Sequence, residues 1–163
     1  MRVEELMQKV VRVCGPDDAI SEAARIMWEA DCGCVPVVAG DGRGGLVGII
    51  TDRDVCMAAY TRGKALGELR VCDAMSRDLR TCSPQESLAA AAGAMRVARV
   101  RRLPVVDEAG QLLGIVSLSD LAREFARLRA GGKKGITAAE IGELLAGICE
   151  PRQIEAGEQR RSG

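Results

Sequence analysis

The chain is 163 residues long and 47% hydrophobic, with 23 Lys and Arg against 23 Asp and Glu and no histidine. That is enough apolar material for one compact unit or two small ones, and the balanced charge gives no overall field to draw the chain onto nucleic acid or an anionic membrane. The longest apolar runs are strand-sized, well short of the roughly 20 residues that cross a bilayer, and "MRVEELMQKV" lacks the apolar centre of a signal peptide, so a cytoplasmic protein without membrane insertion is expected.

In chain order, Val3-Glu4-Glu5-Leu6-Met7 comes first and Cys14-Gly15-Pro16 follows. Pro16 suits the first turn of a helix, where its missing N–H does no harm, and Asp17 and Asp18 favour that positive end. Ile20, Ala23, Ala24 and Met27 then fall at i, i+3, i+4 and i+7, one apolar face of a helix. Val35-Pro36-Val37-Val38 and Leu46 to Ile50 read as two buried strands joined by the turn-rich "AGDGRGG". Thr51-x-x-Asp54 ends the second of them and opens another helix.

The same series then recurs. Val71-Cys72-Asp73-Ala74-Met75, Cys82-Ser83-Pro84, the face Leu88, Ala91, Ala92 and Met95, and Leu103-Pro104-Val105-Val106 each lie 68 positions after their first copies. The displacement then drops to 66: Gly114-Ile115-Val116-Ser117 answers Gly48-Ile49-Ile50-Thr51, and Asp120 answers Asp54. The two missing residues come out of the loop, where the five residues "DEAGQ" replace the seven of "AGDGRGG" and a hairpin shortens without disturbing its strands. Each repeat is thus predicted as short strand, helix, strand, hairpin, strand, helix. One such unit cannot cover its own apolar faces, but two can as a pseudo-twofold pair.

The tail departs from the repeat. "GGKKG" at 131–135 ends the last helix of the second repeat, and Thr137 with Glu140 forms a capping-box pattern ahead of Ile141, Leu144, Leu145 and Ile148. That helix carries an apolar stripe, to be packed on its own module or offered to a second subunit. From Pro151 the chain is expected to be disordered.

Thr51-x-x-Asp54 and Ser117-x-x-Asp120 admit two readings. In one they are capping boxes alone, hydroxyl at the N-cap and acid at N3. In the other the caps also serve a ligand: the carboxylate accepts the hydroxyls of a ribose and the free amides of the helix start face a phosphate. Arg101 and Arg102 before the second repeat's Pro104 suit either a solvated basic patch or phosphate recognition by guanidinium forks. Arg53 can reach the same phosphate, pair with Asp52 or face solvent. Cys32-Gly33-Cys34 has too few partners for a closed zinc site, so no metal is expected, and the seven scattered cysteines, with Cys14 and Cys82 at matching positions, fit reduced thiols used for packing. With no histidine base, P-loop or nucleophile elbow, no catalytic residue is assigned and the protein is not expected to be an enzyme. The three aromatics, Trp28, Tyr60 and Phe125, are too few for a platform that stacks single-stranded nucleic acid, so no such partner is expected.

"CGCVPVV…LVGIITDRD" and "VRRLPVVDEAGQLLGIVSLSD" resemble the paired motifs of tandem CBS (cystathionine β-synthase) domains, in register over about residues 3 to 128. The resemblance implies an α/β (α+β) fold of two β-α-β-β-α repeats packed as one Bateman module. The first repeat would span 3–62, a linker 63–70, the second repeat 71–128, and the tail 129–163, with its helix near 137–149. It also implies two clefts between the repeats that take adenosine-containing ligands such as AMP, ADP, ATP or S-adenosylmethionine as regulatory ligands rather than required cofactors. In related sensors each cleft combines the acid of one repeat with the backbone of the other. Carried over, the first cleft joins Thr51 and Asp54 to Ser83, Leu88, Val100 and Arg101. The second joins Ser117 and Asp120 to Gly15, Ile20, Cys32 and Gly33. With its arginines the first is expected to prefer a phosphorylated nucleotide. The family further implies a homodimer and an effector protein yet to be identified. The alternative is a structural or interaction module with empty clefts, acting through dimerisation or the tail helix.

Overall fold

The helices and strands of one repeat each have a counterpart in the other in the computed structural model of the chain, which describes residues 1–40, 44–130 and 137–149. Helices Ile20–Glu29 (α1) and Leu88–Ala98 (α3) bury Ile20, Ala23 and Met27, and Leu88, Ala91, Ala92 and Met95, on the faces their spacing predicts. Strands Cys34–Val38 (β1) and Leu46–Thr51 (β2) pair antiparallel, as do Arg102–Val106 (β3) and Leu112–Ser117 (β4). The registers match, with Val35 opposite Ile50 and Leu103 opposite Val116, and each hairpin is bulged at the same place, between Val37 and Val38 and between Val105 and Val106. Helices Asp52–Arg62 (α2) and Leu118–Ala130 (α4) follow directly. The loop expected to absorb the two-residue difference falls partly on residues 41–43, outside those described.

Two expectations are corrected. The short leading strand of each repeat reduces to a single parallel bridge, Cys14 to Val37 and Cys82 to Val105. Nor do Pro16 and Pro84 open helices. α1 and α3 begin only at Ile20 and Leu88, because Asp18 and Glu86 turn back to accept the amides of Gly15 (2.7 Å) and Ser83 (2.8 Å). The first helical amides are already committed elsewhere: Ile20 N donates to Leu69 O at 2.9 Å, and Leu88 N to Met1 O at 3.3 Å.

Those bonds show how the halves are joined. The segment leading each repeat packs on the other repeat. Val3 N donates to Glu86 O (2.9 Å), and Gln8 N to Ile115 O (2.9 Å). In mirror fashion Val71 N donates to Asp18 O (2.9 Å), and Ser76 N to Ile49 O (2.9 Å). Fully buried Val3 therefore belongs to the core of Leu88, Met95, Leu103 and Leu121, while fully buried Val71 belongs to that of Ile20, Val35 and Ile50. The crossing needs glycine at two equivalent positions. A Cβ on Gly114 would lie 2.7 Å from the Gln8 carbonyl oxygen, and one on Gly48 would lie 2.5 Å from Met75 Sδ.

The tail helix, Ala138–Cys149 (α5), packs on its own chain. Leu144 is buried in the second core, Ile141 and Ile148 lie against it, and Gly147 lets the helix rest on the Arg96 side chain of α3. The helix break at 131–135 and the tail beyond 150 lie outside the described residues. So does the Glu140 side chain of the expected capping box.

Candidate functional site

Both predicted caps form. Thr51 donates its amide (2.9 Å) and Oγ1 (2.7 Å) to Asp54 Oδ2, and the Asp54 amide donates back to Thr51 Oγ1 at 3.2 Å. Ser117 donates its amide (2.8 Å) and Oγ (2.6 Å) to Asp120 Oδ2, and the Asp120 amide returns to Ser117 Oγ at 3.3 Å. The second oxygens differ. Asp120 Oδ1 accepts from Arg123 of α4 and, at 3.4 Å, from Gln8 Nε2 of the crossing segment, whereas Asp54 Oδ1 accepts nothing among the described residues. Asp120 is also the more enclosed, at 4% exposure, while Asp54 is half-buried.

Ser117 and Asp120 stand in a cleft of about 730 Å³, a size ordinary for small-molecule sites. Of the residues proposed from the sequence, Cys32, Gly33, Arg101, Arg102, Ser117 and Asp120 line it together. The others do not. Ile20 and Leu88 are buried in the two cores because they sit on the inward faces of α1 and α3. Val100 packs against the second core, and Gly15 and Ser83 are held in their local turns by Asp18 and Glu86. Thr51, Asp54 and exposed Arg53 open α2, away from this cleft, and Arg53 meets Asp52 through its backbone amide at 2.7 Å.

Arg101 is placed differently from expectation, beside Asp120 rather than Asp54. The cause is a backbone bond: Leu118 N, at the start of α4, donates to Arg101 O at 2.8 Å and ties the turn before β3 to the second cap. Asp52 N makes the equivalent bond to Gly33 O at 3.3 Å.

Electrostatically the cleft is basic around one enclosed acid. Arg101 has no ion pair among the described residues, and Arg12 is occupied by Glu29 at 2.7 Å. The Arg102 guanidinium lies beside Gly33 and the Cys34 thiol; burial pushes that thiol up and the guanidinium draws it part of the way back. None of Gln8, Arg12, Asp31, Cys34 and Arg123 was proposed from the sequence as a ligand residue, and of these only Arg123, one turn beyond Asp120, carried a local signal for that role. Leu145, Ile148 and Cys149 of α5 also line the cleft, which no local pattern announces. Among the described residues no group of three or more His, Cys, Asp or Glu is placed to hold a metal, and no helix is long and apolar enough to cross a membrane. The arrangement can bind a polyhydroxylated, anionic ligand: a carboxylate to accept sugar hydroxyls and guanidinium groups to meet phosphate.

The chain belongs to the CBS domain family, whose model matches residues 3–60 and 71–127. It is 38% identical over 120 residues to the CBS domain-containing protein YhcV of Bacillus subtilis, covering 74% of this chain and 82% of that protein. It is 35% identical over 120 residues to inosine-5'-monophosphate dehydrogenase of Korarchaeum cryptofilum, where the match covers 74% of this chain but only 23% of the enzyme. Among solved structures, the CBS domain pair of protein MJ0100, in complex with 5-methylthioadenosine and S-adenosyl-L-methionine, superposes with a TM-score of 0.66 at 30% identity, covering 82% of this chain and 98% of that one. The paired hairpins and capped helices described above are thus a Bateman module with an additional C-terminal helix.

Proposed function

We propose that the protein is a non-catalytic regulator that binds an adenosine-containing ligand in the cleft of Ser117 and Asp120 and signals its occupancy to an effector protein. The observation that carries this is Asp120, an enclosed carboxylate at the start of α4, in a cleft that Arg101 and Arg102 also line. The adenosine ligands of the MJ0100 pair support the ligand class, and the matching segment in an inosine-5'-monophosphate dehydrogenase supports a regulatory role. AMP, ADP, ATP and S-adenosylmethionine all carry the ribose diol that the carboxylate can accept; the first three offer phosphate to the guanidinium groups, and the last offers only its carboxylate. The Asp120 cleft, which collects the arginines, takes the role first expected of the Asp54 cleft. Seven free cysteines support a reducing compartment such as the cytoplasm.

Thermal unfolding tests the proposal. A ligand at 100 times its Kd stabilises the folded state by about 2.7 kcal/mol. At least one of the four ligands is expected to raise Tm, and Asp120→Ala to remove the shift; no shift with any of them sinks the proposal.

The alternative, an interaction module, is favoured by one observation: Trp28 on α1 and Tyr60 on α2 are 89% and 81% exposed. Aromatic side chains are enriched where protein surfaces meet, so these two suit a homodimer face. Sedimentation of the native chain against Trp28→Ser and Tyr60→Ser reads this directly, a dimer that persists in both variants counting against it.

A further inference from the structure

Helix α5 lies beyond the matched CBS residues, yet it forms a wall of the cleft. Its two sides have different tasks. Leu144 is buried and, with Ile141 and Ile148, fixes the helix against α3, where Glu143 also lies 3.9 Å from Arg96. One residue on, Leu145 turns to the cleft and is 43% exposed, and Ile148 and Cys149 continue that face for a further turn. Across from it are Ser117, Asp120, Arg101 and Arg102. The cleft therefore joins these polar groups to an apolar lining, to which the repeats give Val10, Val11 and Ile115 and α5 adds Leu145 and Ile148.

We propose that α5 is a ligand-binding element: Leu145 and Ile148 supply an apolar face for the uncharged, flat part of the ligand, while Asp120 and the arginines hold its polar part. This rests on the assignment of the cleft to an adenosine-containing ligand and adds the surface that selects for the base. Among the described residues no aromatic side chain lines the cleft, so aliphatic contact is the means available for covering a heterocycle there. Because Ile148 serves both the docking side and the cleft side, the strength of the site depends on α5 being seated on α3. A ligand that touches α5 only when it is seated favours that seated state in turn.

Calorimetry of the full chain with AMP, ATP and S-adenosylmethionine gives the test. Leu145→Asp alters only a part-exposed wall residue, so the fold is expected to survive. It should weaken the best-bound probe about tenfold or more, from lost apolar contact and an added charge. Leu144→Asp, which unseats the helix, should weaken it at least as much. Alkylation of Cys149 supplies a readout on the native chain: saturating probe should slow it several-fold while exposed Cys56 on α2 reacts as before. If the native chain binds a probe and Asp120→Ala abolishes it, but Leu145→Asp keeps full affinity and Cys149 is unprotected, α5 is not part of the site although the cleft assignment stands. If no probe binds the native chain, both proposals fail.

Discussion

Arg123 sits on Oδ1 of Asp120, while the matching position of the first repeat holds Met57 and leaves Asp54 Oδ1 without a partner among the described residues. The two carboxylates make the same cap but are unequally available. A sugar hydroxyl entering the Asp120 cleft must share or displace a guanidinium, and with 70% of its side chain exposed Arg123 is free to swing aside. Once displaced, it becomes one more cation for a phosphate.

Arg123→Ala should therefore change preference more than overall strength. Calorimetry with adenosine or methylthioadenosine is expected to show binding several-fold tighter than the parent, and AMP or ATP should gain less or lose. An equal gain for neutral and phosphorylated ligands would count against the displaced-cation account.

Glycine is required unequally at the two crossings. A Cβ on Gly114 meets a backbone carbonyl and also Met7 Sδ at 3.0 Å, whereas one on Gly48 first meets Met75 Sδ, the movable end of a flexible side chain, with the Ser76 carbonyl further off at 3.2 Å. Overpacking of this kind costs about 1–3 kcal/mol. Denaturant melts should put Gly114→Ala toward the upper end and Gly48→Ala below it; the reverse order would refute this view of the crossings.

Exchange of the leading segments makes a crossed prediction. Val3→Ala and Val71→Ala should each cost about 2 kcal/mol, from lost burial and the space left behind. Hydrogen exchange should then rise first in the repeat that does not contain the mutated residue: around β3 and β4 for Val3→Ala, and around β1 and β2 for Val71→Ala. Loosening confined to the same repeat would contradict the exchange.

Burial pushes the Cys14 thiol up to about 12 and that of Cys82 to about 11, with Asp18 and Glu22 adding to the first and Glu86 to the second. A raised folded pKa contributes stability that is present below the ordinary thiol value of 9.0 and is lost as pH rises through the folded one. Stability should thus fall as pH is raised from 9.0 toward 12, with a shallower fall in Cys14→Ala. At pH 8 neither thiol should react with iodoacetamide before exposed Cys56 does.

Legibility in the sequence followed the range of the interaction. The repeats, the faces of α1 and α3 and both caps were readable because each depends on residues within a turn or a strand of one another. The starts of α1 and α3 were misplaced because the amides of Ile20 and Leu88 are taken by Leu69 and Met1, distant in sequence. Arg101, expected with Asp54, lines the Asp120 cleft for the same reason, since the Leu118 to Arg101 bond ties its backbone to the second cap. A stripe of Leu and Ile at 141–148 announced that α5 would pack, but nothing local said that its next face would look into the cleft.

Val3 fills a core whose remaining members run from Cys82 to Leu144. During synthesis Val3 therefore waits for residues 82–144 to follow it before it finds its place, and the second half cannot be completed until they have been made. Cutting the connection at 63–70 would not release two independent pieces, since each would carry away a strap that the other needs.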